Sequence, residues 1–247
     1  RIGTVYKSTN FGLTWSSIFV DAGEVLTHIA VSYTDASIQT IVGNTGNLYV
    51  SSDTGATWSA KGFKESFTGV AINEAGDIQS TVVSGSGIYD STDSGGSWTL
   101  LQNTRNWDYI AASSDASIQV ATIFNGGMYI SRDAGNSWEK ASIPDHTGMS
   151  KHIVTVSATG KYIMVSNNPS PGDVYRSTDF GQTFTLVVTI SGTTDIIISA
   201  TGQHVSLLGG FGVVWVSSDY GATFASTPSS GLVQIAMASD GKTQIGI

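Results

Sequence analysis

The 247-residue chain contains no cysteine and only four prolines. Without thiols, it has neither a disulfide framework nor a thiolate metal site. Charged residues make up only 12% of the chain, and the net charge of −8 comes with no cluster of Lys or Arg. This composition argues against a nucleic-acid phosphate track and against docking on anionic membranes. No run of 18 apolar residues is present, so the sequence predicts no membrane-spanning helix.

What the chain does contain is an eight-residue pattern, the octet, which recurs six times. Its position-by-position consensus is Ser-x-Asp-x-Gly-x-Thr-Trp, and neighbouring copies start 40 to 46 residues apart. Repetition at such a period is typical of propellers and solenoids. The six octets span residues 8–15, 51–58, 91–98, 131–138, 177–184 and 217–224.

Each repeat has the same internal order of strand signals. An apolar stretch such as GVAIN (69–73) is followed by a turn, a second apolar stretch, a Gly-bearing loop, a third strand and then the octet. This order predicts four short antiparallel strands per repeat. We therefore predict an all-β chain, a six-bladed β-propeller of four-stranded blades. It would form a single domain over residues 1–247, with the last blade closed by the N- and C-terminal strands.

The octet resembles the Asp-box, also called the BNR repeat, of the sialidase-like superfamily, and the resemblance covers essentially the whole chain. A carboxylate at a hairpin tip accepts backbone N–H groups from the residues just ahead of it, so we predict that its role is structural. The resemblance implies that the octet turns lie on the rim of one face, away from a pocket on the other. The third octet positions are Asn10, Asp53, Asp93, Asp133, Asp179 and Asp219.

A conventional sialidase is not predicted. Enzymes of that superfamily hold the substrate carboxylate with three arginines, whose planar guanidinium groups match a carboxylate. The chain has four arginines, and Arg132 and Arg176 belong to the octet face. Only Arg105 and Arg1 are left for the pocket face, so the three cannot be assembled.

A glycoside hydrolase with paired carboxylates is one alternative, because Asp-box glucan hydrolases resemble this repeat. Glycosidic hydrolysis needs two carboxylates about 5–10 Å apart. Asp108 and Asp195 stand at or just before the start of predicted inner strands, where they would point towards an axial pocket. The competing interpretation is that these carboxylates only cap loops.

A lectin-like pocket is the leading functional hypothesis. Trp107 is its best single candidate, because the residue falls in a polar loop (NTRNWD) outside the octet pattern. Sugars bind by stacking on aromatic rings and by hydrogen bonds to amides and carboxylates. In the other interpretation, the aromatic residues fill gaps between blades. The predicted ligand-binding residues are Trp107, Asp108, Arg105, Phe67, Asp195 and Asn125.

The sequence therefore predicts a non-catalytic recognition module for a carbohydrate or glycoconjugate, presented outside a cell or on a virion surface. The alternatives are the hydrolase and a protein-binding or assembly propeller, since fold alone decides none of them. No cofactor is expected. The four histidines are scattered along the sequence, so no metal site is expected either.

Overall fold

The computed structural model describes residues 3–10, 13–34, 36–101, 105–143, 151–168, 172–227, 231–232 and 234–246. Within these ranges the chain consists of β-strands and turns, with one short 3-10 helix at Gly210–Gly212. The described residues include no helix with the length and apolar character needed to cross a membrane. The chain divides into two compact units, Arg1–Trp107 and Asp108–Ile247.

The first unit contains ten complete strands. They are β1 (Gly3–Lys7), β2 (Ser16–Asp21), β3 (Leu26–Val31), β4 (Gln39–Gly43), β5 (Leu48–Ser51), β6 (Ser59–Ala60), β7 (Phe67–Ile72), β8 (Gln79–Ser86), β9 (Ile88–Ser91) and β10 (Thr99–Leu100). They form a two-stranded sheet, β1–β2, and a four-stranded sheet in chain order, β3–β6, while β7–β10 pair in chain order as part of an eight-stranded sheet. Next along the chain is β11 (Arg105–Ala112), whose first residues, Arg105 and Asn106, pair with Ser86 and Ser84 of β8.

The second unit repeats this arrangement. Its strands are β12 (Gln119–Ile123), β13 (Met128–Ser131), β14 (Glu139–Lys140), β15 (Lys151–Val156), β16 (Ile163–Asn168), β17 (Gly172–Ser177), β18 (Thr185–Ile190), β19 (Asp195–Ile198), β20 (Val205–Leu208), β21 (Val214–Ser217), β22 (Ala225–Thr227), β23 (Ile235–Met237) and β24 (Gln244–Gly246). β11 is followed in sheet order by β12, β13 and β14, and the later sheets are β15–β18, β19–β22 and the pair β23–β24.

The prediction of an all-β chain with hairpin-connected antiparallel strands is confirmed by this topology. Among the described residues, β1 pairs with β2 and β23 pairs with β24. The predicted sharing of one blade between the two chain ends therefore stays a prediction.

The octet occupies the same place in each four-stranded sheet. Its serine lies opposite the first residue of the second strand, as in Gln79↔Ser91 of the first unit and Val205↔Ser217 of the second. The N–H of the fourth octet residue then donates to a carbonyl in the turn between the first two strands, for example from Ser94 to Asp77 at 3.1 Å. The octet and this turn therefore lie at one end of the sheet, and the remaining loops lie at the other end.

Apolar side chains fill the space between neighbouring sheets of a unit. In the first unit, Val42, Leu48 and Val50 pack with Phe67 and Val83 of the following sheet. The second and third strands of this sheet, β4 and β5, are buried on both faces, which explains their apolar sequences. The octet aromatic packs in the same layer: Trp98, Phe184 and Phe224 each contact a core cluster that includes the preceding sheet.

Cationic side chains also join successive sheets within a unit. The guanidinium of Arg132 donates to the carbonyl oxygens of Phe180 (2.9 Å) and Gly181 (2.7 Å) in the next octet. Arg176 donates to the carbonyl of Tyr220 at 3.4 Å, and Lys7 donates to the carbonyl of Thr54. Sequence analysis assigned the two arginines to the octet face, but it did not predict that they tie neighbouring octets together.

Candidate functional site

The octet carboxylates are saturated by hydrogen bonds within their own turns. In the third octet, Asp93 accepts the Ser91 hydroxyl (2.8 Å), the Ser97 N–H (2.8 Å) and the Ser97 hydroxyl (2.7 Å). The Gly95 N–H donates to the Ser91 hydroxyl at 2.8 Å, and Ser94 and Gly95 both have a positive φ. The same contacts recur around the other octet carboxylates, which are Asp53, Asp133, Asp179 and Asp219.

These hydrogen bonds keep the carboxylates ionised. Donation from Ser97 lowers the pKa of Asp93 to about 2, and donation from the Thr57 hydroxyl and N–H lowers the pKa of Asp53 to about 2. A general acid needs the opposite shift, a raised pKa. The octet carboxylates therefore hold backbone and are unsuited to proton transfer near neutral pH.

Asn10 shows that the charge is not essential to the turn. Its Oδ1 accepts the Ser8 hydroxyl (3.0 Å) and the Thr14 N–H (2.9 Å), as an aspartate would. Its amide group donates to the Thr14 hydroxyl at 2.8 Å, which reverses one bond of the other octets. Residues 11 and 12 of this octet lie outside the described part of the chain.

Two of the predicted ligand-binding aromatics are interior residues. Trp107 is 1% exposed and Phe67 is 0% exposed. Their carbonyls accept hydrogen bonds from the sheet before, from Thr68 to Trp107 (2.9 Å) and from Thr27 to Phe67 (3.3 Å). Each residue stands near the start of a first strand with almost no exposed side chain, which leaves little surface on which a sugar could stack. This burial favours the packing interpretation, and ligand binding at Trp107 and Phe67 stays a prediction.

The other predicted site residues are divided between the two units. Arg105 is exposed on β11 in the first unit, whereas Asp108, Asn125 and Asp195 belong to the second. Asp195 accepts the N–H of Ile235 at 3.2 Å. Its charge also helps raise the pKa of Tyr109, for which burial is the larger cause.

Asp195 thus accepts a backbone hydrogen bond from Ile235 and interacts electrostatically with Tyr109. Asp108 is half-buried, and Asn125 is exposed in a turn with a φ of +55°. In the described part of the chain, no three metal-ligating side chains come together. These residues carry no arrangement that by itself indicates catalysis.

Glu24 shows how a carboxylate at the loop end serves the scaffold. It is buried, and it accepts the Thr45 N–H (2.8 Å), the Thr45 hydroxyl (2.5 Å), the Asn47 N–H (3.1 Å) and the Asn47 amide (3.0 Å). Asp21 nearby accepts the Tyr49 hydroxyl. Burial, and then this hydrogen bond, raise the pKa of Tyr49 to about 12. Glu24 therefore fastens the loop after β2 to the loop before β5, and Asp21 joins the end of β2 to β5 itself.

A groove of about 270 Å³ lies between β1 and β3 of the first unit, and we call it the β1–β3 groove. Residues 4–6, residues 26–29 and Ile41 line it. Tyr6 is 58% exposed, Ile29 is 51% exposed, and Val31 further along β3 is 40% exposed. The corresponding strand of the next sheet, β7, is mostly buried because it packs on β3 and β4. Sequence analysis missed the groove, because β3 has the same apolar pattern as the buried first strands.

Comparison with known proteins identifies a family for the repeat. A sequence profile described as photosynthesis system II assembly factor YCF48 matches residues 7–189, which is well over half of the chain. No curated protein matches the chain.

Solved structures of similar fold include two glycoside hydrolases and a cell-cycle complex. The GH74 enzyme of Niastella koreensis is 24% identical with a TM-score of 0.61, over 81% of this chain and 31% of that one. The GH74 xyloglucanase of Xanthomonas campestris is 17% identical with a TM-score of 0.68, over 89% and 41%. A chain of the Mitotic Checkpoint Complex is 14% identical with a TM-score of 0.76, over 100% and 81%.

At these identities the likeness shows the fold alone, a propeller-like all-β architecture. The chain spans between about a third and two fifths of the length of the two GH74 enzymes, so nothing of their activity transfers to it.

Proposed function

The chain belongs to the photosynthesis system II assembly factor YCF48 family, and we propose that it is a protein-binding module of the assembly-factor type. The single observation that carries the proposal, beside the family, is the exposed apolar lining of the β1–β3 groove. Exposed apolar clusters on a soluble scaffold mark protein interaction sites. Tyr6 and Ile29 would provide the main contact area, because large apolar and aromatic side chains dominate interface energetics.

The scaffold supports this function by being rigid around the groove. Glu24 fastens the loop that leads into β3, and Lys7 ties β1 to the octet of the next sheet. Binding to such a preformed surface costs little ordering entropy, which favours recognition of a partner.

Carbohydrate recognition and glycoside hydrolysis receive less support. The burial of Trp107 and Phe67 does not favour the stacking contacts that the lectin hypothesis requires. Asp108 and Asp195 remain the only residues proposed for paired-carboxylate chemistry, and Asp195 already holds the Ile235 N–H. We therefore place protein binding ahead of both, although an extracellular or surface location stays a prediction.

The finer fold assignment also stays a proposal. The shared hydrogen bonds of the octets support an Asp-box propeller of the sialidase-like superfamily, and six octets support six blades. In the complete sheets, the residue directly before the octet pairs with the second residue of the second strand, as in Ser80↔Asp90. In a shared last blade, the same register would put Lys7, which directly precedes the first octet, opposite Ile245. A Lys7→Cys, Ile245→Cys chain should then form a disulfide on mild oxidation. A Lys7→Cys, Asp240→Cys chain is the matched control.

Protein binding can be tested by comparing two single variants with the unmodified chain. Ile29→Asp introduces a charge in the groove, and Leu186→Asp introduces one at an equally exposed apolar position of the second unit. The unmodified chain and the Leu186→Asp chain should capture the same proteins from extracts of the source organism. The Ile29→Asp chain should capture none of them. A glycan array should give no signal. Binding of one sugar class, unaffected by Ile29→Asp, would contradict the proposal and restore the lectin hypothesis.

A further inference from the structure

We propose that the octet ends of the sheets β15–β18 and β19–β22 bind the same surface of a second copy of this chain, in a two-fold symmetric dimer. We call this surface the aromatic octet surface, and it consists of Lys161, Tyr162, Asp179, Phe180 and Tyr220. All five residues belong to the second unit, whereas the β1–β3 groove belongs to the first. Dimer formation would therefore be a second activity, separate from protein binding at the groove.

Three aromatic side chains form the middle of the surface. Phe180 is 39% exposed and Tyr220 is 38% exposed. The ring of Tyr220 stacks on that of Tyr162, with the ring centroids 4.7 Å apart and an interplanar angle of 23°. The Phe180 N–H donates to the carbonyl of Lys161 at 3.2 Å, so Phe180 lies beside the turn that carries Tyr162. Exposed apolar clusters mark interaction sites, and aromatic residues are enriched in protein interfaces.

The octet turn itself does not need these rings. Phe180 and Tyr220 hold the fourth octet position, where φ is +60° and +63°, a conformation that is unfavourable for bulky side chains. The second, third and fourth octets have Thr54, Ser94 and Ala134 at this position. The hydrogen bonds that tie neighbouring octets together use the carbonyls of Phe180 and Tyr220 and not their side chains. Two neighbouring octets therefore hold an aromatic residue at a cost that the turn does not require, which indicates a role in binding.

Charges of opposite sign flank the rings on opposite sides. Lys161 is exposed in the turn between β15 and β16, and its ammonium group lies 5.4 Å from the centroid of the Tyr162 ring. Within the described part of the chain, Lys161 forms no ion pair. Asp179 lies on the other side of Phe180, because it accepts the N–H and hydroxyl of Thr183, which leads into β18. Burial opposes the shift, but the hydrogen bonds from Thr183 lower the pKa of Asp179, so its carboxylate is ionised at neutral pH.

The order cation, aromatic rings, carboxylate makes the surface complementary to itself. In a two-fold interface the same patch is used by both copies, and an axis that lies in the interface exchanges the two sides of the patch. An axis that runs along the line of the aromatic rings would stack the rings of the two copies. It would also place Lys161 of each copy opposite Asp179 of the other. A partner with a single sign of charge would leave one of these two groups uncompensated, so we assign the surface to a second copy.

The small size of the surface makes the dimer weak. Interfaces of less than about 1,200 Å² belong to transient complexes, and exposed ion pairs add little to their affinity. We therefore expect a dissociation constant on the order of 10 µM. In a dilute extract the chain is then monomeric, so the dimer does not affect the capture of partner proteins by the β1–β3 groove.

Sedimentation equilibrium of the full chain, from about 1 µM to about 500 µM, tests the proposal. We expect a monomer–dimer equilibrium whose dissociation constant rises at least tenfold in the double variant Phe180→Ser, Tyr220→Ser. This variant copies Ser94 of the third octet and keeps the backbone carbonyls, so its midpoint of urea unfolding should stay close to that of the unmodified chain. Phe124→Ser is the matched control, because Phe124 is an exposed aromatic residue of the same unit in the loop between β12 and β13. It should leave the dissociation constant unchanged.

The charge pair has its own test, which leaves the aromatic rings in place. Lys161→Gln and Asp179→Asn should each weaken the dimer about two- to fivefold, and the chain with both changes should be no weaker than the weaker single variant. Asp179→Asn keeps the turn, because Asn10 accepts the equivalent hydrogen bonds in the first octet. Independent, additive effects of the two changes would contradict the pairing of Lys161 with Asp179.

A chain that stays monomeric over the whole concentration range would overturn the proposal. So would a dimer that the double serine variant leaves unchanged, because another surface would then form it. A marked fall of the urea midpoint in that variant would assign the rings to the fold and count against binding. Ile29→Asp should dimerise normally, and the double serine variant should still capture partner proteins, so failure of the dimer is distinguishable from failure of the proposed function.

Discussion

Asp90 is a buried carboxylate whose replacement should change the pH dependence of folding. It lies in the middle of β9, 7% exposed, opposite Ser80 of β8 and Thr99 of β10. Burial raises the pKa of Asp90 to about 6, and a hydrogen bond with Ser80 partly opposes this rise. We predict that Asp90→Asn removes a cost that the folded chain bears at neutral pH.

The size of this cost follows from the two pKa values. An ordinary Asp has a pKa of 3.8, so the folded chain holds the proton of Asp90 more tightly than the unfolded chain does. Stability is therefore greatest below pH 4, falls as the pH rises through about 6, and stays lower above it. The difference of about 2 between the pKa values corresponds to about 3 kcal/mol. The amide of Asn adds a pH-independent cost of about 1–3 kcal/mol if its N–H groups lack partners.

The assay is urea unfolding of both chains between pH 4 and pH 8. The quantity to compare is the free energy of unfolding of Asp90→Asn minus that of the unmodified chain. This difference should increase by about 3 kcal/mol over this range, and the pH-independent cost of the Asn amide does not affect the increase. Ser80→Ala removes the opposing hydrogen bond and should move the unmodified chain's fall in stability to higher pH. A difference that stays flat between pH 4 and pH 8 would refute the reasoning, because Asp90 would then have no raised pKa.

Three further substitutions test the packing, and urea unfolding measures each. Gly160→Ala should cost at least about 2 kcal/mol, because φ is +76° and the new Cβ would lie 2.4 Å from a neighbouring side chain. Gly231→Ala is the control: φ is +81° but the space is open, so the cost should be about 1 kcal/mol. Equal losses for the two variants would contradict the clash. Arg132→Ala should cost about 1–2 kcal/mol of stability through the lost hydrogen bonds to carbonyl groups. Glu139→Gln, which removes only the ion pair, should change stability little. A larger loss for Glu139→Gln than for Arg132→Ala would assign the effect to the ion pair. Trp107→Ala should cost about 3–5 kcal/mol as a buried residue, and a neutral result would reopen its role as a surface ligand.

The octets made most of the fold predictable from the sequence. Their spacing predicted hairpin-connected antiparallel strands, and the structure gives sheets in that order. The role of Asp93 could also be argued from turn chemistry, because an Asp two residues before Gly has backbone donors within reach. These features are local, so a short stretch of sequence contains the physical cause.

The candidate site was less predictable, because its features depend on contacts between sheets. Trp107 stands in a polar stretch that indicates a loop, but β11 already begins at Arg105 and the Trp107 side chain is only 1% exposed. Conversely, β3 has the apolar pattern of a covered strand, and only the structure shows Ile29 exposed. Burial of a strand face is decided by the sheet opposite, which the strand's own residues do not specify.

The most direct test of the account is photo-crosslinking from the β1–β3 groove. The full chain would carry p-benzoylphenylalanine in place of Ile29 or, as a control, in place of Leu186, and would be irradiated in an extract of the source organism. We predict discrete protein adducts from position 29 and none of these adducts from position 186. Adducts of equal yield from both positions, or no adducts from position 29, would contradict protein binding at the β1–β3 groove.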